Sequence, residues 1–109
     1  MIVLTKEELP ECPVATTIQL IGNKWKLLII KNLLHKTFRF NELRRDIPGI
    51  SQKVLTENLK SLEKDGLINR KVYPEVPLRV EYNLSEVGNS LRGIIKHMEL
   101  WGIEYKNRI

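Results

Sequence analysis

The stretch "PGISQKVLTENLKSLEKDG", Pro48–Gly66, decides how the rest of the chain is read. Ser51 is a favoured N-cap and Gly66 a favoured stop, with residues of helical spacing between them. At 100° per residue, Leu55, Leu59 and Leu62 share one side, while Lys53, Thr56, Glu57, Lys60 and Lys64 share the other. Such a polar face is ordinarily only solvated surface. Its neighbours in the chain point further.

Upstream, Phe40, Leu43 and Ile47 mark a brief helix that must end before Pro48, because a residue preceding proline avoids the α region. The turn Pro48-Gly49-Ile50 then gives helix-turn-helix spacing. Arg39, Arg44 and Arg45 lie on or beside the shorter helix, placed to hold a nucleic-acid backbone. Downstream, Leu67–Tyr73 and Val80–Leu84 are β-rich runs joined by "PEVPLR", whose prolines suit a loop and not a ladder. Arg70, Lys71 and Arg79 make that hairpin basic, as a wing along a groove requires.

The outer segments complete the order. Residues 1–11 read as a flexible arm, and residues 12–109 as one domain. Pro13 is a favoured first helical residue, which makes Cys12 the N-cap of a helix carrying Val14, Ile18 and Ile21 and stopped by Gly22. A second helix spans about Lys24 to His35 with Trp25, Leu28, Ile29 and Leu33 inward, and Thr37–Phe40 can add a short strand. Ser85 caps a last long helix running to about Lys106. The fold class is therefore mainly α with a small β-hairpin, a winged helix-turn-helix.

Within that frame each side chain on the recognition helix has a task. Ser51, Gln52 and Lys53 stand at its start, where base edges are met. Gln pairs with adenine, Lys donates to guanine, and the Thr56 methyl meets that of thymine. Lys60 and Lys64, further along, are placed for phosphates. Charge agrees: the chain carries a formal +5, and Lys24–Arg79 holds 13 basic and 6 acidic residues. The remaining alternatives are a winged-helix module for protein–protein contact and a non-specific DNA-binding protein.

Three blocks, "CPVATTIQLIGNKWKLLII", "RFNELRRDIPGISQKVLTENLKSLEKDGLI" and "YPEVPLRVEYNLSEVGNSL", resemble consecutive parts of the HxlR-type transcriptional regulators, which share the MarR-like architecture. The likeness runs from Cys12 onward. It implies a bacterial or archaeal homodimer that binds a double-stranded DNA operator through Ser51–Asp65, with Arg79 as the wing's basic contact. Leu78 stands where the family often has a second proline. Some members use an N-terminal cysteine at the place of Cys12 to sense oxidants or electrophiles. A thiol at a helix N-cap feels unpaired amides, which favour thiolate, whereas Glu7, Glu8 and Glu11 oppose it.

The last helix bears on assembly. Leu91, Ile94, Met98, Trp101 and Tyr105 follow a 3-4-3-4 spacing, with Ile95 and Ile103 beside them, a stripe too broad for one small domain to cover. With Val14 and Ile18 of the first helix it is the expected dimer interface. Enzymatic chemistry is not expected. Glu42–Asp46 and Glu63–Asp65 have no nucleophile beside them, and His35 and His97 lack a metal-ligand cluster. No cofactor is called for, and the effector is left open. The longest apolar runs are too short for a membrane span, and the single cysteine allows no intrachain disulfide; the expectation is a cytoplasmic protein.

Overall fold

In the computed structural model, which describes residues 5–109, the first helix pair forms before the segment that decided the reading. Helix α1 spans Pro13–Ile21 and α2 spans Lys24–Leu33, ending two residues short of the expected His35. Strand β1 (Phe38–Arg39) leads directly into α3 (Phe40–Asp46), and α4 spans Gln52–Lys64. The hairpin is β2 (Ile68–Tyr73) and β3 (Arg79–Leu84), followed by α5 (Glu86–Asn89) and α6 (Arg92–Asn107).

Helix α4 is fixed at both ends. The Val54 amide donates to Ser51 Oγ at 3.1 Å. At the other end Gly66 takes φ +77°, its amide reaches the Glu63 carbonyl, and the Leu67 amide reaches Leu62. That pair of bonds is a Schellman closure, and the left-handed residue in it must be glycine to avoid strain. Gly49, at φ +81°, does the same for the turn between α3 and α4. Ile47 and Ile50 bury their side chains on either side of that turn.

The core lies behind α4. Leu55, Leu59 and Leu62 pack with Ile29, Ile30 and Leu33 of α2 and Leu43 of α3. A short polar ladder ties α2 to α4: the Lys26 amide donates to Asn23 Oδ1, Asn23 Nδ2 donates to Asn58 Oδ1, and Asn58 Nδ2 donates to the Val54 carbonyl. The recognition helix is thus held by apolar packing and by side-chain hydrogen bonds.

The sheet has three strands in the order β1-β3-β2, all antiparallel, so the short strand widens the expected hairpin. Arg70 stands opposite Tyr82, and Tyr73 opposite Arg79. Alternation then divides the hairpin into two faces. Ile68, Arg70, Val72, Val80, Tyr82 and Leu84 share one; Asn69, Lys71, Tyr73, Arg79, Glu81 and Asn83 share the other.

The expected single last helix is two. A tight turn at Ser90–Leu91 separates α5 from α6. The cause is tertiary. A Cβ on Gly88 would stand 2.0 Å from the Leu67 carbonyl oxygen, so α5 is seated hard against the start of β2. The Arg92 guanidinium bridges Asn89 Oδ1 and the Leu34 carbonyl, which directs α6 along α2. Gly88→Ala is expected to cost about 1–3 kcal/mol, since backbone must move; a thermal unfolding midpoint equal to wild type would show the contact is soft.

At the N-terminal end, residues 1–4 of the expected arm lie outside the described residues. The remainder contains a 3-10 turn, Lys6–Glu8, and the Pro10 carbonyl accepts from Thr16 Oγ1 at 3.0 Å. Cys12 is the N-cap of α1 but makes no side-chain cap bond. Its thiol is exposed.

Candidate nucleic-acid interface

Helix α4 presents Gln52, Lys53, Lys60 and Lys64 to solvent, with Thr56 half-buried beside them. Their positions are fixed because the opposite side of the helix is anchored in the core. Lys53 Nζ lies 4.0 Å from Glu57, one turn along and also exposed, a pairing too weak to withhold the ammonium from another partner.

Two concavities flank the start of α3. One, of about 570 Å³, is bordered by Gln52, Thr56 and Lys60 of α4, Arg70 of β2 and Tyr82 of β3, with Phe40 between the elements. The other, about 700 Å³, brings Arg39 of β1 and Arg45 of α3 together with the loop end of the hairpin at Pro77–Arg79. Lys53, Lys64, Arg44 and Lys71 border neither cleft. Glu42 steadies the start of α3 by accepting the Arg39 amide at 2.8 Å. That bond, followed by the nearby Lys36 ammonium, holds its carboxyl below the ordinary range.

The basic residues of the hairpin do not act as one set. Arg70 faces the recognition helix across the first cleft, whereas Lys71 and Arg79 belong to the opposite face of the sheet. Arg79, expected to contact phosphate, is committed within the wing. Its guanidinium donates to Glu75 at 2.9 Å and to Glu81 at 3.1 Å and lies 3.7 Å from the centre of the Tyr73 ring. Two carboxylates neutralise it, and its Nε is buried with no partner. Arg79 braces the hairpin loop against β3 through these two ion pairs.

The interface expectation is sorted in a similar way. Val14 and Ile18 of α1 and Ile94, Met98, Trp101 and Tyr105 of α6 are exposed, with Trp101 stacked on Tyr105 at 5.2 Å. Ile95, expected beside them, is instead buried in the chain's own core, and Leu91 packs against that core. The physical reason is angular. Ile95 lies about 100° around the helix from Ile94, on the side turned toward α2. Sequence reasoning also passed over Tyr82, although the alternation of Val80, Tyr82 and Leu84 already aligns its ring with the core-side face of the hairpin.

A three-helix core, an exposed polar helix after a tight turn and a strand-paired wing define a winged helix-turn-helix regulator. Residues 20–109 match the HxlR-like helix-turn-helix family. The HTH-type transcriptional regulator YdeP of Bacillus subtilis is 46% identical over 105 residues, 96% of this chain and 82% of the relative. Among solved structures, the HTH-type transcriptional regulator ytcD superposes with a TM-score of 0.83 at 48% identity, covering 88% of this chain and 98% of its own. The redox regulator HypR in its oxidized form gives 0.81 at 44% identity, covering 85% and 96%. The chain belongs to the HxlR family of transcriptional regulators. Among the described residues, no helix is long and apolar enough to cross a membrane.

Proposed function

We propose that this regulator binds a pseudo-palindromic operator as a homodimer, in the cytoplasm. In that assembly α1 and α6 of two copies pair through Val14, Ile18, Ile94, Met98, Trp101 and Tyr105. The observation that carries the reading is the pairing of two features on one rigid body. One is a core-anchored helix with Gln52, Lys53 and Thr56 at its start; the other is an exposed apolar stripe on α6. Two such helices enter successive major grooves, with half-sites about one helical turn, ~10 bp, apart. Selection of bound sequences from random DNA by the purified protein tests it. A recovered inverted repeat supports the reading; an unenriched pool rejects sequence-specific binding.

Cys12 supplies a regulatory input in this proposal. It is exposed at the head of α1, a helix assigned to the interface, and a solved relative carries the description of a redox regulator in oxidized form. Oxidation leads to a sulfenic acid, a mixed disulfide or a disulfide between subunits, since the chain has one cysteine. Diamide is expected to lower operator affinity, with reversal by thiol, and Cys12→Ser to remove the response. Equal affinity of reduced and modified wild type, with the adduct confirmed by mass, would take sensing out of the account.

A further inference from the structure

The cleft between the recognition helix and the hairpin has a chemistry of its own. Lys60 and Arg70 reach it from opposite walls, and neither pairs with a carboxylate among the described residues, in contrast to Arg79, Lys53 and Lys36. Gln52 and Thr56 add neutral donors from the helix side. Tyr82 adds one from the sheet. Tyr82 is only 8% exposed, and its hydroxyl makes no hydrogen bond within the described residues. A tyrosine buried to that degree, bordering a cationic cleft with no partner for its hydroxyl within the chain, can offer a donor to a ligand there. Glu63 is the one carboxylate on the lining, one turn beyond Lys60, and it sets the far limit of the anionic region.

We propose that this cleft seats a single phosphate of the DNA backbone. Lys60 and Thr56 hold it from α4, while Arg70 and the Tyr82 hydroxyl hold it from the hairpin. The lining favours a phosphodiester over a base edge, because two unpaired cations stand on opposite walls, one on the helix and one on the hairpin. Such a clamp ties the helix and the wing to the same phosphate and so fixes how deeply α4 enters the groove. The inference rests on the DNA-binding reading above and adds Tyr82 to the interface as a contact residue.

The test is fluorescence anisotropy with the selected operator and a random duplex across a salt series. Tyr82→Phe is expected to weaken both complexes about tenfold, as loss of a hydrogen bond to a charged group does. The salt slope stays unchanged, because no cation has been removed. Arg70→Gln, at an exposed site with no fold to disturb, is expected to reduce the slope by about one per subunit. Replacing the contacted phosphate with a neutral methylphosphonate should weaken wild type and Tyr82→Phe alike through Lys60 and Arg70, and should shrink the difference between them. Wild-type affinity of a normally folded Tyr82→Phe protein overturns the clamp, as does an unaltered slope for Arg70→Gln. Tyr82-dependent binding of inorganic phosphate that does not compete with DNA also overturns it, by assigning the cleft to a small anion. Failure of wild type to bind any duplex removes the DNA reading itself, an outcome distinct from all of these.

Discussion

Replacing Trp101 by glutamate is expected to give a folded monomer that has lost most of its operator affinity. Trp101 is 66% exposed in the single chain and stacked on Tyr105, so its removal leaves the chain's own core intact. In the proposed two-fold assembly the same position would face a second apolar α6. There each glutamate would be an unpaired charge taken out of water, which costs on the order of 3–5 kcal/mol. Even one such charge is enough to shift the monomer–dimer equilibrium by about two to four powers of ten. A dissociated regulator also forfeits the linked second half-site, for which effective concentration is commonly worth about 10²–10⁴ in binding. Light scattering at micromolar protein reads the first effect, and anisotropy on a full operator compared with one half-site reads the second. A dimer that survives the substitution would place Trp101 outside the contact.

The sequence made some of this architecture plain and concealed the rest for identifiable reasons. Helix α4 was legible because its cap, its leucine stripe and its closing glycine all act locally, within one segment. The break at Ser90–Leu91 was not. Ser85 and the residues after it satisfy the rules for an unbroken helix, and the interruption follows from Gly88 meeting a carbonyl 21 positions earlier in the chain. Ile95 was misassigned for a related reason: a stripe reveals which residues are apolar but not where one buried side gives way to another. The two ion pairs of Arg79 were not legible, because its carboxylate partners are ordinary wing residues until the hairpin closes. Tyr82 was hidden by its type. In an alternating strand a tyrosine reads as core, and only the folded chain shows that Tyr82 borders the cleft.

Alanine at Gln52 and at Lys53 is expected to reduce discrimination while leaving binding to random DNA largely intact. Both side chains stand in the first turn of α4, exposed, and neither contributes to the core beneath. Stability should therefore hold, and the loss can be read as recognition alone. A good base contact is worth roughly 1–3 kcal/mol against the wrong base, so each substitution should cut the operator-to-random affinity ratio about 10- to 100-fold in each half-site. The phosphate clamp predicts the complementary pattern. Tyr82→Phe and Arg70→Gln lower both affinities together and leave their ratio in place, because a backbone phosphate carries no sequence information directly. Measuring both duplexes for all four variants separates reading from holding. If Gln52→Ala and Lys53→Ala retain the full ratio, base readout lies elsewhere on the helix, with Thr56 the next residue on the same face. If they lower both affinities equally, the first turn only grips the backbone, and discrimination must come from the shape of the DNA.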